Sequence, residues 1–569
     1  MITRTPNAQQ KSVAYLYFTV FVAGMTSLAA EFCASRLLGN VFGTSNLVWA
    51  AIIGLILIYL TAGYFLGGRW ADRSPHFHTM YSILAWAAFT LGIIPSLARP
   101  VLRLAAEAFD QLQMGILAGA FTSVLILFTV PVTLLGTISP FAIRLIVQTP
   151  EHSGRDAGMI YGISTLGSFL GTFLPALVLI PTIGTARTFL VFSGLLLTVA
   201  AIGLALNGKW RHFLLCCVMI SILTFLALYG QQGTIKASRG QIYERESAYN
   251  YIQVIELGST RYLRLNEGQG VHSVYAPGVL DFGGPWQQFL VGPFFYPDRR
   301  PESIQRIAIL GLAAGTTARQ ALAVFPNVVV DGYEIDPQIV AVGRRYFGMD
   351  LANLNIIVQD ARWGLAESPY RYDLICVDAY RPPYIPPHLT TVEFFQIVAD
   401  HLQPDGALAI NVGHTASDRR LIDGLATTIR TLFSTVYVMD IPGTFNSMIY
   451  ATRQPTTILD FQRNLVTFAT DQTAHPLLIH SMEITLANLQ PTPPTTTIFT
   501  DDLAPIEWIT NDMILDYLLQ GDDSLSRLEP YPPSAGTPIR FSGGVDLCLS
   551  STYTFTPMLI KSKPSKRPH

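Results

Sequence analysis

Cysteine is scarce in this 569-residue chain: Cys33, Cys216, Cys217, Cys376 and Cys548 are scattered and odd in number. Such a set supplies neither a disulfide framework nor the paired spacing of a zinc site, and no metal is expected. Charge is scarce as well, but only in the first part of the chain. Residues 1–230 hold 12 Lys and Arg and 6 Asp and Glu, against 25 and 33 in the remainder, so the net charge passes from +6 to −8. No basic patch emerges, which removes nucleic acid from the expected partners. Length and uneven charge together predict two or three domains, the first apolar and the rest soluble.

The charge-poor part is filled by apolar runs at 13–30, 47–67, 81–97, 115–135, 159–180, 188–206 and 213–229. Each is close to the roughly 20 residues a helix needs to cross a bilayer. Seven transmembrane helices are therefore predicted over residues 13–230, after a tail at 1–12, with the lipid bilayer as partner. The first run is followed by no small-residue cleavage site and continues into Glu31 and Arg36, so it is expected to be retained. Gly158, Gly162, Gly167 and Gly171 in the fifth run predict close helix packing. Lys and Arg divide eight to six between the two sides, too small a bias to orient the bundle.

Further along, four elements follow one another at the spacing of a nucleoside-binding α/β domain. The apolar run 307–310 suits a strand buried on both faces. Gly311 and Gly315 then allow a tight turn and close backbone approach to a ligand before a helix over 317–324. A second strand over 328–333 ends on Glu334, where a carboxylate can accept two hydrogen bonds from ribose hydroxyls. The interval of about 20 residues from turn to acid is the dinucleotide or adenosyl fingerprint. Asp360 closes the third strand beside Ala361, on the adenine side, and Asp378 closes the fourth, beside the reacting group. Both acids have a second reading as caps of the next element. Asp378 as general base requires a geometry and a tuned pKa that sequence does not display. His388 and His414 read as loop or surface residues.

Between the two parts, YNYIQVIEL and RYLRL predict short strands of a small β-module over residues 240–295. LDFGGPWQQFLVGP near its end reads either as one wall of a substrate pocket or as a loop. Beyond the α/β domain at 300–519, the Pro-, Ser- and Gly-rich stretch 520–569 predicts a poorly ordered tail.

These motifs resemble the membrane-bound members of the spermidine synthase family, polyamine aminopropyltransferase-like proteins with a multi-helix region before the catalytic domain. The likeness rests on FVAGMTSLAAEFCASRLLGNVFGTS, ESAYNYIQV, LGLAAGT, YEIDP, VQDARWG, YDLICVDAY, the long block IPPHLTTVEFFQIVADHLQPDGALAINV, and TDDLAPIEW. It implies a helical transmembrane bundle, a small β-module and a Rossmann-like domain of the AdoMet methyltransferase type. It further implies decarboxylated S-adenosylmethionine or S-adenosylmethionine as co-substrate, bound by Asn250, Gly311, Gly315, Glu334, Asp336, Asp360 and Ala361. Asp378 is the expected catalytic residue, and Trp286, Gln287, Gln288, Tyr380 and Arg381 the expected substrate pocket. A small-molecule amine or other nucleophile is the expected acceptor, and a homo-oligomer is left open. Because such nucleosides are cytoplasmic, the soluble domain is expected on the cytoplasmic side of the cell membrane.

Three departures stand out. Arg381 occupies a position where the family carries an acid, Ala314 replaces an Asp, and Trp286-Gln287-Gln288 lacks the acid of the amine pocket. A guanidinium in a shielded cleft repels a diamine by several kcal/mol at an effective dielectric of about 20. Two other functions are therefore carried forward: methyl transfer from S-adenosylmethionine at the same site, and a transporter or sensor whose soluble domain binds without turnover.

Overall fold

The computed structural model describes residues 6–42, 46–112, 116–147, 149–229, 238–266, 270–380, 384–415, 418–471 and 474–520. Except for Gln520, the expected tail lies outside them, as does Arg381.

The apolar part folds as α1 (Pro6–Phe42), α2 (Asn46–Arg73), α3 (Phe77–Leu112), α4 (Ile116–Gly136), α5 (Ile138–Ile146), α6 (Ser153–Leu174), α7 (Ile180–Ile183), α8 (Thr185–Leu206) and α9 (Trp210–Tyr229). With α4 running on into α5 and α6 into α7, these give seven stretches, among the described residues, long and apolar enough to cross a membrane. The bundle has an interior of its own, including Phe128, Phe141, Phe189 and Phe192. Its outer face is also apolar: Phe65 and Leu177 stay 68% and 71% exposed. In the tightest contact, α1 lies along α6. A Cβ at Gly167 or Gly171 would overlap the carbonyl oxygens of Phe21 and Met25, so only glycine lets the two backbones approach this closely.

The β-module is a four-stranded antiparallel meander, β1 (Gln241–Glu246), β2 (Tyr251–Leu257), β3 (Thr260–Leu265) and β4 (Val271–Tyr275). The α/β domain adds helices α10 (Pro285–Gln288), α11 (Thr316–Val324), α12 (Pro337–Phe347), α13 (Ala361–Ala366) and α14 (Val392–His401). Its strands are β5 (Arg306–Leu310), β6 (Val329–Tyr333), β7 (Leu354–Ile357), β8 (Tyr372–Val377), β9 (Leu402–Gly413), β10 (Thr435–Asp440), β11 (Asn446–Thr452) and β12 (Leu489–Gln490). They form one sheet in the order β12-β10-β11-β9-β8-β5-β6-β7, in which β9, β8, β5, β6 and β7 run parallel and β11 returns antiparallel. Strand order reverses between β5 and β8. That is the switch point where a crevice opens at the carboxyl ends of the strands.

The module ends earlier than the sequence suggests. After β4 the chain enters the α/β domain, where Phe289, Phe294 and Phe295 are fully buried. Phe295 stacks on Tyr437 and Phe461 with ring centroids 4.3 and 4.4 Å away. A run this aromatic gains more from the large core beside the sheet than from a four-stranded meander. The meander seats Ile252, Val254, Leu263 and Leu265 against Ile339, Val342 and Phe347 of α12, fixing one wall of the crevice.

Candidate active site

The crevice begins at the turn after β5. Gly311 has φ of +99°, and a Cβ there would stand 2.5 Å from the carbonyl oxygen of Asp378, so the switch point closes around a residue without a side chain. Ala313 also takes a left-handed conformation, with φ of +48°. That conformation is unfavourable for alanine. Two hydrogen bonds hold the turn there: Ala313 N donates to Glu334 Oε2 at 2.9 Å, and Ala314 N to Ser273 Oγ of β4 at 2.9 Å. Gly315, with φ of +83°, then opens α11.

Glu334 stands at the carboxyl end of β6, buried, with its other oxygen accepting from Asp336 N at 3.0 Å. Burial pushes its carboxyl up to about 7, against the pull of these backbone donors. A carboxylate oxygen can accept more than one hydrogen bond. Asp336 has another task. It caps α12 through Gln338 N at 2.9 Å and accepts from Ser247 Oγ at 2.5 Å and Asn250 Nδ2 at 3.1 Å. Asn250 also accepts from Asn266 Nδ2 at 3.0 Å. The structure brings these two expected ligand contacts together as a clasp between β-module and α/β domain, two residues beyond Glu334.

Asp360 caps α13, accepting from the backbone N–H groups of Arg362 and Trp363 at 3.0 and 3.1 Å. Beside it is Ala361, buried as the first residue of that helix. His388, read from sequence as a loop histidine, lies with Nε2 3.0 Å from Asp360 Oδ2. Its hydrogen bond is the largest influence holding the Asp360 carboxyl below its usual range. Arg362 forks onto Asp501 of the TDDLAPIEW block at 2.7 and 2.7 Å and so ties that block to this edge.

Asp378 follows β8. Its backbone N–H donates to Leu310 O at 2.8 Å, and Asn411 Nδ2 of β9 donates to its Oδ1 at 3.0 Å. Asp378 is half-buried, and burial pushes its carboxyl up to about 7. Tyr380 donates to Asn411 O at 3.0 Å, and burial beside Asp378 raises its phenol. Asn411 thus holds both expected residues. A single polar residue in an apolar strand gave no sign of that role in the sequence.

The expected pocket block departs most. Gln287 and Gln288 are fully buried. Gln287 accepts from Phe282 N and Gly283 N, both at 3.2 Å, and donates to Asp281 at 2.7 Å. Gln288 accepts from Thr485 at 3.0 Å through its side chain, and its carbonyl oxygen accepts from Tyr450 at 2.9 Å. Burying a polar side chain costs less where it is hydrogen-bonded, as Gln287 is on both its oxygen and its nitrogen. Trp286 is buried too, its ring N–H 3.4 Å from His272 O. His272 itself is drawn down by burial to about 4, and so is neutral near pH 7, with Nε2 unpaired.

Residues 300–462 match the Spermine/spermidine synthase domain family. A probable polyamine aminopropyl transferase of Bifidobacterium longum is 32% identical over 212 residues, 37% of this chain and 46% of that protein. The polyamine aminopropyltransferase of Vibrio vulnificus is 30% identical over 255 residues, 42% of this chain and 77% of that protein. Among solved structures, spermidine synthase from Thermotoga maritima aligns with a TM-score of 0.37 and 19% identity, over 44% of this chain and 84% of that one. The chain therefore spans less than half of the first relative and about three quarters of the second. With the fold and crevice described above, the match to the Vibrio protein shows that this chain belongs to the polyamine aminopropyltransferase family.

Proposed function

We propose that this chain is an integral membrane aminopropyltransferase, taking the aminopropyl group of decarboxylated S-adenosylmethionine to an amine on the cytoplasmic side of the cell membrane. The observation that carries the reading is the pair of carboxylates flanking the glycine turn, buried Glu334 at the end of β6 and half-buried Asp378 at the end of β8. Their chemistry divides. Glu334 accepts from the ribose hydroxyls, and Asp360 is the acceptor at the adenine edge. Asp378, held by Asn411 and raised towards neutrality, is suited to take a proton from the attacking amine.

In the reaction, the amine nitrogen forms a bond to the terminal methylene carbon of the aminopropyl group as the carbon–sulfur bond breaks. The electron pair stays on sulfur, neutralising the sulfonium and leaving methylthioadenosine, and the amine's surplus proton passes to Asp378. Because the sulfonium is already activated, the protein supplies mainly orientation and proton removal. The outward apolar face of the bundle supports insertion in a bilayer, since monomeric soluble proteins rarely expose apolar patches above a few hundred Å².

The acceptor side is where this chain parts from the diamine pattern. Gln287 and Gln288 sit in the core, and Ala314 is fully buried. An acceptor carrying less positive charge than a diamine fits this loss of acids. Incubating the full chain in detergent with decarboxylated S-adenosylmethionine and a panel of amines tests the reading. Methylthioadenosine release dependent on one amine supports it. Release of S-adenosylhomocysteine from S-adenosylmethionine instead would replace it with methyl transfer.

A further inference from the structure

The nucleoside crevice is joined to the helical bundle by an unbroken run of polar contacts, and it begins at a charged residue near the end of the first helix. Arg36 of α1 places Nε 3.1 Å from Glu246 Oε1 at the end of β1, with the two side chains 18% and 13% exposed. The Arg36 guanidinium also donates to the carbonyl oxygen of Ser247. Glu246 is gripped from a second helix, accepting from Thr185 Oγ1 at 2.5 Å at the start of α8. One residue on, Ser247 faces the other way. Its hydroxyl donates to Asp336 Oδ2 at 2.5 Å and accepts from Asn250 N at 2.8 Å. Asp336 in turn donates its backbone N–H to Glu334 Oε1, and Glu334 accepts from Ala313 N in the glycine turn.

We infer that Arg36 is a positioning residue for the nucleoside site, acting through Ser247 and Asp336 on Glu334. The inference rests on the proposed reading of the crevice as an adenosyl site. Physically, Arg36 fixes the carbonyl of Ser247 and the carboxylate of Glu246 together, so the backbone at the end of β1 has one arrangement. That arrangement aims the Ser247 hydroxyl at Asp336. Asp336 is also the cap of α12, and its N–H holds Glu334 against the turn. Cutting the first contact leaves Glu246 without its charge partner in a half-buried place and frees the Ser247 backbone to shift. Glu334 then loses the fixed orientation a ribose diol needs, which weakens ground-state and transition-state binding of the nucleoside alike. The bundle is thereby part of the binding site and not only its tether.

The test uses the full chain in detergent and 5′-methylthioadenosine, which carries the adenosyl half alone. Arg36→Ala is expected to raise the calorimetric Kd by roughly 5-fold or more, within the usual range of coupling between sites. KM for the nucleoside co-substrate should rise with it, while kcat and the acceptor KM stay at wild-type values. Arg36→Lys keeps the charge opposite Glu246 but not the second donor to Ser247, and an intermediate Kd is expected. A double-mutant cycle of Arg36→Ala with Asp336→Asn should be non-additive. Arg144→Ala removes an equal charge from an exposed pair with Asp72 elsewhere on the bundle and is the control. A wild-type Kd in Arg36→Ala, or a Kd shift equal to that of Arg144→Ala, overturns the inference. If Arg36→Ala does not fold, a wild-type Kd in Arg36→Lys overturns it. Failure of the unaltered chain to bind methylthioadenosine overturns the reading of the crevice itself.

Discussion

Glycine is used in two unlike ways in the two halves of this chain. In the bundle, Gly167 and Gly171 of α6 stand against the α1 backbone at ordinary helical dihedrals, and what they supply is missing volume. In the α/β domain, Gly311 and Gly315 supply a left-handed backbone that bends the chain around the crevice, and Gly311 also admits the backbone of Asp378. The apolar side chains divide likewise, facing both inward and outward in the bundle and mostly inward around the sheet. A substitution in the first region should therefore act through packing, and one in the second through the site.

The sharpest way to break that contrast is Asp378→Asn. Loss of the proton acceptor should lower kcat by about 10²- to 10⁴-fold, with nucleoside affinity little changed. In the unaltered protein the rate should fall as pH drops through about 7, where the carboxylate takes up a proton. Stability should move oppositely. The folded carboxyl titrates near 7 and the unfolded one in the ordinary carboxylate range, about 4. The folded state thus binds more protons between those values, and stability declines as pH rises from about 4 to 7. Asp378→Asn should therefore melt above wild type at pH 8 and no higher at pH 4; a lower melting point at pH 8 would contradict the assigned burial cost.

Next in size is Glu334→Gln. A charged acceptor of hydroxyl donors contributes about 1.5–3 kcal/mol per bond. Calorimetry should show nucleoside affinity weakened by roughly 10- to 150-fold. Unchanged affinity would remove Glu334 from the site. A smaller and purely structural effect is expected in the bundle. Gly167→Val should lower the melting temperature, since overpacking costs about 1–3 kcal/mol. Gly158→Val, with no atom within 4 Å of the new Cβ, should leave it unchanged. Equal loss in both variants would mean that volume is not what α6 glycines supply. The smallest effect is predicted for Arg344→Ala, which removes an exposed pair with Asp350 and should shift stability by at most about 1 kcal/mol.

Much of this was legible in the residues. Seven apolar runs are a signal of length and composition alone, and strands β5 and β6 with their glycine turn are a local pattern, so both emerged, the strands with bounds shifted by one residue and several helices running well past their apolar runs, as α1 does to Phe42 and α3 to Leu112. What stayed hidden depends on pairing across distance. Asn411 holds Asp378 across 33 positions and His388 meets Asp360 across 28. Ser247 reaches Asp336 across 89. The burial of Gln287 and Gln288 was hidden for the same reason, since their partners Asp281 and Thr485 are fixed only once the core around them has formed.

The most direct measurement compares the binding of decarboxylated and carboxylated S-adenosylmethionine to the full chain by calorimetry. Tighter binding of the decarboxylated form is expected if the crevice serves aminopropyl transfer. Tighter binding of the carboxylated form would contradict it and reassign Glu334 and Asp378 to methyl transfer or to ligand sensing.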